Sequence, residues 1–113
     1  MESLKKSRDF KQVYNQKRSL ANRLLVLYVK ENESEVNRLG VSISRKVGCA
    51  VVRNRIKRLI KESYRANEKT LVMGYDLVIV VRPAAAHENF EQIGKSLWDL
   101  LKRNNLTEDK DVD

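Results

Sequence analysis

Hydrophobic spacing changes character several times along the chain. Between residues 7 and 16, Phe10, Val13 and Tyr14 fall at i, i+3 and i+4, one face of a short helix. Ser7 is the expected N-cap, and Asp9 stands near the positive end. Residues 23–30, Arg-Leu-Leu-Val-Leu-Tyr-Val-Lys, are rich in β-formers and read as a strand. After a polar turn over 31–38, Leu39, Val41 and Ile43 alternate with Gly40, Ser42 and Ser44. That is a strand with one apolar face and one small, polar face. The two strands are expected to pair as an antiparallel hairpin with a loop longer than a tight turn. A further strand just before Arg23 is left open by the pattern. Gly48 breaks the alternation, and 50–67 turns helical, with Val52, Ile56, Leu59 and Ile60 as an apolar stripe and Tyr64 at one edge. Residues 75–82 form a nearly continuous apolar run, the mark of a central strand buried on both faces, which Pro83 ends. Phe90, Ile93, Leu97, Leu100 and Leu101 predict a last helix over 88–103.

The predicted order is helix-strand-strand-helix-strand-helix. With helices laid on one face of a small mixed sheet, this is an α+β two-layer sandwich. The other sheet face is partly polar and is expected to stay free for a ligand. Residues 1–104 read as one domain, and 105–113 as an acidic, flexible tail.

Charge narrows the partner. The 113 residues carry a formal +8. Glu108, Asp109, Asp111 and Asp113 against Lys110 leave −3 at the C-terminal end, so the rest carries +11. A merely soluble basic protein is the plain alternative to a polyanionic partner, which can be RNA, DNA or an anionic membrane surface. The membrane lacks a span: no stretch approaches the ~20 apolar residues required. The N-terminus has no signal-peptide run, so a cytoplasmic location is expected. Cys49 is the sole cysteine and His87 the sole histidine, which excludes an internal disulfide and a zinc set. No small-molecule substrate is indicated.

The 50–67 helix carries the chemistry. It holds Arg53, Arg55, Lys57, Arg58, Lys61 and Arg65 against Glu62 alone, a net +5. Arg53, Lys57, Lys61 and Arg65 recur every four residues and form one ridge, with Arg55 and Arg58 expected across the apolar stripe. Like charges at that spacing repel by about 0.2–0.5 kcal/mol per pair, a cost that a polyanion offsets. A solvated surface helix normally mixes signs; this one does not. Arginine forks bond phosphate oxygens in pairs, and Asn54 adds a neutral donor and acceptor. Arg45 and Lys46 precede a helix N-terminus at Gly48-Cys49-Ala50, where free N–H groups suit phosphate. Cys49 reads as a small capping or packing residue. The acids are scattered: Asp76 begins a strand and Glu62 sits among bases, neither with an evident partner, so no carboxylate cluster for metal is expected. His87 reads as a cap or surface residue.

At this helix the run Arg53-Asn-Arg-x-Lys-Arg-Leu-Ile-Lys resembles the signature of the bacterial ribonuclease P protein family. Asp9-Phe-x-x-Val-Tyr, Ala21-Asn-Arg-x-x-Val-Leu-Tyr and Leu39-Gly-Val-Ser-Ile-Ser-Arg-Lys-Val-Gly agree in order, so the likeness spans about residues 4–104. It implies a left-handed strand-helix-strand crossover, where general sequence rules favour the right hand. It implies a protein without catalytic residues of its own, a subunit of an endoribonuclease whose active site lies in its catalytic RNA, and it names no metal-ligating residue on the protein. Mg2+ would be held mainly by that RNA. The partners would be the catalytic RNA subunit and precursor tRNA, whose single-stranded 5′ leader is removed. By position, Phe10, Tyr14, Tyr28, Ser42, Ser44, Lys46 and Arg53 would receive the leader. Arg45, Asn54, Arg55, Lys57, Arg58, Lys61 and Arg65 would meet the catalytic RNA, the division of cations between the two RNAs staying open. Cys49 stands where the family commonly has Asn, and Tyr14 where Phe is common. The alternative is a ribosomal-type structural RNA-binding protein without a leader cleft.

Overall fold

The computed structural model describes residues 1–108. Its elements, in chain order, are β1 (Glu2–Ser3), α1 (Ser7–Asn15), β2 (Ser19–Ala21), β3 (Leu25–Glu31), β4 (Arg38–Ser42), α2 (Ala50–Ala66), β5 (Tyr75–Val81) and α3 (Phe90–Arg103). The continuous apolar run becomes the middle strand of a five-stranded mixed sheet ordered β1-β4-β5-β3-β2. β5 pairs antiparallel with β3 and parallel with β4.

The expected β3–β4 hairpin does not form, because β5 lies between the two strands. An edge place would leave the apolar β5 run with an unpaired, exposed border. The centre pairs both its sides. β3 and β4 are then two strand spacings apart, about 9–10 Å, a gap that the polar loop 32–37 spans easily. The open question before Arg23 resolves as β2, antiparallel to β3, and the two-residue β1 joins β4 in parallel.

Leu25, Leu27 and Val29 of β3 face the same side as Leu77, Ile79 and Val81 of β5, and α2 and α3 cover them. The α2 stripe is buried as its period requires: Ile56 and Ile60 are fully enclosed and Leu59 nearly so. Tyr64, expected at an edge, is 1% exposed in the middle of this core. Its hydroxyl has no hydrogen-bond partner. The nearby Asn37 amide is already bonded to Val72 O and the Tyr75 N–H. Burial pushes the Tyr64 phenol up to about 12, with the charge of Glu68 adding to the rise.

α3 starts at Phe90, where the Asn89 side chain accepts from the Gln92 N–H and caps the helix. α1 is different: Ser7 is its first helical residue, and its N-cap, Lys6, makes no side-chain cap bond. Past α3, Asn105 takes φ +60° and the chain turns back. Leu106 is buried and Thr107 bridges Leu71, so 105–108 join the packed body. The rest of the expected acidic tail, 109–113, lies outside the described residues.

Candidate nucleic-acid interface

The sheet face turned away from α2 and α3 presents every second residue. Register sets Tyr28, Val78 and Gly40 in one row and Val26, Val80 and Ser42 in the next. The sequence pattern left this face free; α1 crosses it and covers part. Val13 is fully buried there with Leu4 and Val78, while Phe10, Tyr14 and Tyr28 pack around them half-buried. Tyr14 and Tyr28 meet edge to face, with centroids 4.8 Å apart and planes at 81°, an interaction worth about 0.5–1.5 kcal/mol beyond its area. Phe10 lies on the Gly40 backbone, so close that a Cβ at Gly40 would stand 2.6 Å from the Phe10 Cζ. Val26, Val80 and Ser42 stay half-buried beside the helix. The result is a partly exposed patch on the sheet face, with half-buried aromatic rings beside Val26, Val80 and Ser42.

An ion pair with a buried carboxylate lies beside α1 at this face. Arg38 donates through Nε and Nη2 to the two oxygens of Asp76, at 2.8 and 2.7 Å. Asn32 donates to the same carboxylate at 2.9 Å. Arg38 Nη1 lies 3.7 Å from the Asp9 carboxylate of α1. Asp76 is 2% exposed. Burial pushes its carboxyl up, but the bonds from Arg38 and Asn32 and the charge of Arg38 hold it below the usual carboxylate range. The Arg38 guanidinium is raised by its bond to Asp76 against the opposing effect of burial. Asp76, read from sequence as lacking a partner, thus has two. Its signal was present: an acid inside an apolar strand must be paired to be buried.

β4 delivers the chain to the second part of the site. Ser42 lies on the same sheet face, and Ser44, Arg45 and Lys46 are exposed in the turn that follows. The Lys46 N–H donates to Ser44 Oγ at 3.3 Å, and the Val47 and Gly48 amides close the turn onto Ser44 O and Arg45 O. Cys49 occupies the N-cap of α2, is exposed, and makes no side-chain cap bond. The N–H groups of Val52 and Val51 in the first helical turn lower its thiol pKa.

On α2, Asn54, Lys57, Arg58, Lys61 and Arg65 line one shallow outward cleft with Glu62. Arg58 was expected across the stripe; it joins the ridge instead. Its ion pair with Glu62 is long, 3.9 Å, and exposed, so it adds little. Arg53 folds back, its Nε donating to Gly48 O at 3.0 Å. Arg55 is drawn toward α3, donating to Glu88 O at 2.6 Å. The structure therefore gathers Phe10, Tyr14, Tyr28 and Ser42 on one sheet face and the outward cations on the helix packed against the other. Ser44, Arg45, Lys46 and Arg53 occupy the segment joining them. Sequence reasoning missed the sheet residues Val26, Gly40 and Val80, and the Arg38–Asp76–Asn32 cluster. Among the described residues no three His, Cys, Asp or Glu side chains gather as a metal set. No described helix is long and apolar enough to cross a membrane.

These features define a small basic α+β protein with a cationic helical face and a half-buried aromatic cluster on the other side of its sheet. The Ribonuclease P family model matches residues 1–105. The Ribonuclease P protein component of Clostridium botulinum is 48% identical over 101 residues, 88% of this chain and 91% of that one. The Staphylococcus aureus RNase P protein superposes with a TM-score of 0.88 at 35% identity, covering 95% of this chain and 98% of that one. The Thermotoga maritima RNase P protein gives 0.83 at 32%, covering 91% and 97%. The chain belongs to the ribonuclease P protein family, the protein part of a transfer-RNA-processing ribonucleoprotein. Membership ties it to an endoribonuclease and to an RNA partner, and sets aside the ribosomal-type alternative.

Proposed function

We propose that the outward face of α2 and the turn before it hold the catalytic RNA of ribonuclease P, while the α1 groove receives the single-stranded 5′ leader of precursor tRNA. The observation that carries this reading is the half-buried trio Phe10, Tyr14 and Tyr28 beside the open row Val26, Val80 and Ser42. Aromatic faces stack on unpaired bases without reading sequence, which suits leaders of varied composition. Ser42, Ser44, Lys46 and Arg53 would engage leader phosphates and sugars near that groove. Arg45, Asn54, Arg55, Lys57, Arg58, Lys61 and Arg65 would neutralise phosphates of the catalytic RNA. Hydrolysis then belongs to the RNA subunit, with Mg2+ held mainly there, and the protein assists 5′ maturation in the cytoplasm through leader affinity and charge screening.

Reconstitution tests it. Precursor tRNA is incubated at low magnesium with RNA subunit alone, protein alone, and both. Cleavage is expected only with both; cleavage by protein alone would overturn the reading.

A further inference from the structure

The seam between α2 and α3 faces away from the α1 groove. Along α3, Phe90, Gly94, Trp98 and Lys102 recur every four residues and so share one side. Phe90 is 47% exposed, and Trp98 is half-buried. Gly94 lets the helices close: a Cβ there would sit 3.1 Å from Ser63 Oγ. The two rings flank this close approach and line a cleft of about 290 Å3. Trp98 Nε1 donates to Ser63 O at 3.3 Å, which holds the indole in place. A second cleft of about 650 Å3 shares Trp98 and Asn67 with the first and is lined by Lys69, Thr70, Lys102 and Glu108. Among the described residues neither lysine forms an ion pair. Ala66 and Asn67, on the α2 side, directly follow Arg65 of the cationic face.

Aromatic surface, two lysines that form no ion pair among the described residues, and continuity with a cationic helix are the ingredients of a single-strand nucleic-acid platform. We infer that this seam is a second site for single-stranded RNA, with an unpaired base on Trp98, a neighbouring base against Phe90, and phosphates at Lys69 and Lys102. The route by which a strand arrives rests on the RNA role proposed for α2; the seam's own affinity is separable from it.

Trp98 is the sole tryptophan, so its emission reports on this site alone. The full chain is titrated with a short oligouridylate. Saturable quenching is expected. Phe90→Ala should weaken it about 5- to 150-fold, and Lys69→Ala with Lys102→Ala should lower its salt slope by about 0.7 for each phosphate no longer neutralised. Both changes are at exposed positions, so the chain stays folded. Phe10→Ala with Tyr14→Ala should leave the quenching midpoint unchanged, which separates this site from the α1 groove. Absent quenching, or quenching abolished by the Phe10 and Tyr14 changes, would overturn the inference. So would emission that shifts with protein concentration without RNA, which would make a second copy the occupant. Quenching confined to a chain with Asp109→Asn, Asp111→Asn and Asp113→Asn would do the same, by making the chain's own acidic end the occupant.

Discussion

Gly40→Ala probes the groove with a single methyl group. The added Cβ would lie 2.6 and 2.8 Å from Phe10 ring carbons and 3.2 Å from Leu4 Cβ, closer than van der Waals radii allow. Overpacking costs about 1–3 kcal/mol, and Ala for Gly returns about 0.4–1 kcal/mol through the unfolded chain. Phe10 is half-buried, so its ring yields by swinging outward, and the net loss is about 1 kcal/mol, in the lower half of the resulting range of about 0–2.6 kcal/mol. For 113 residues at ~2.1 cal/mol/K each, the melting temperature drops by about 4 °C. Under the proposed leader site, precursor binding loses more, because the displaced ring no longer offers its stacking face: about 1–3 kcal/mol, the worth of one stacked base. The assay is a double-mutant cycle on Gly40→Ala and Phe10→Ala, read by thermal melts and by precursor-tRNA affinity of the reconstituted complex. Once Phe10 is alanine, the Gly40 change should cost almost nothing in affinity. Full additivity in affinity would refute the reasoning that Gly40 exists to seat Phe10.

Three other outcomes follow from named side chains. Asp76→Asn weakens the charge-assisted bonds from Arg38 and Asn32 while the water-accessible Arg38 guanidinium stays solvated, and should cost about 1.5–3 kcal/mol by urea denaturation. Because the native carboxyl titrates below its ordinary value, its stabilisation is present above pH ~4 and lost as pH falls through the native value, so the variant's acid limb should be flatter. Tyr64→Phe removes a buried hydroxyl without a partner and should stabilise by about 1 kcal/mol. With the native phenol raised to about 12, wild-type stability should be full below pH ~10 and fall between there and pH 12, a decline the variant lacks. Lys57→Ala with Lys61→Ala should weaken association with the catalytic RNA and flatten the log K against log salt slope by roughly 0.7–0.9 for each phosphate left unpaired; an unchanged slope would place those lysines outside the interface.

Local pattern was legible wherever one element met one environment. The α2 stripe and the central β5 run each have a pattern that burial enforces, and both were read from spacing, as was the core-facing set Leu39, Val41 and Ile43 around β4, which itself ends at Ser42. Placement between elements was not. Nothing local in β3 and β4 tells them to leave room for β5; that follows from the need to pair both borders of an apolar strand. Phe10, Val13 and Tyr14 marked a helix face but not which side of the sheet it would meet, since either side offers apolar area. Arg58 shows the same limit at finer scale: on a helix this cationic, a nominal flank and the back of the helix differ by one residue's rotation. The grouping of Phe10, Tyr14 and Tyr28 was anticipated through resemblance to a family, whereas the sheet residues beneath them, Val26, Gly40 and Val80, needed strand register.

The most direct measurement is the ratio of affinities of the reconstituted complex for precursor and mature tRNA, compared between the wild-type chain and Phe10→Ala with Tyr14→Ala. Removal of two stacking faces should collapse that ratio toward unity while mature tRNA binding holds. A ratio that survives the loss of both rings would contradict the claim that the α1 groove holds the leader.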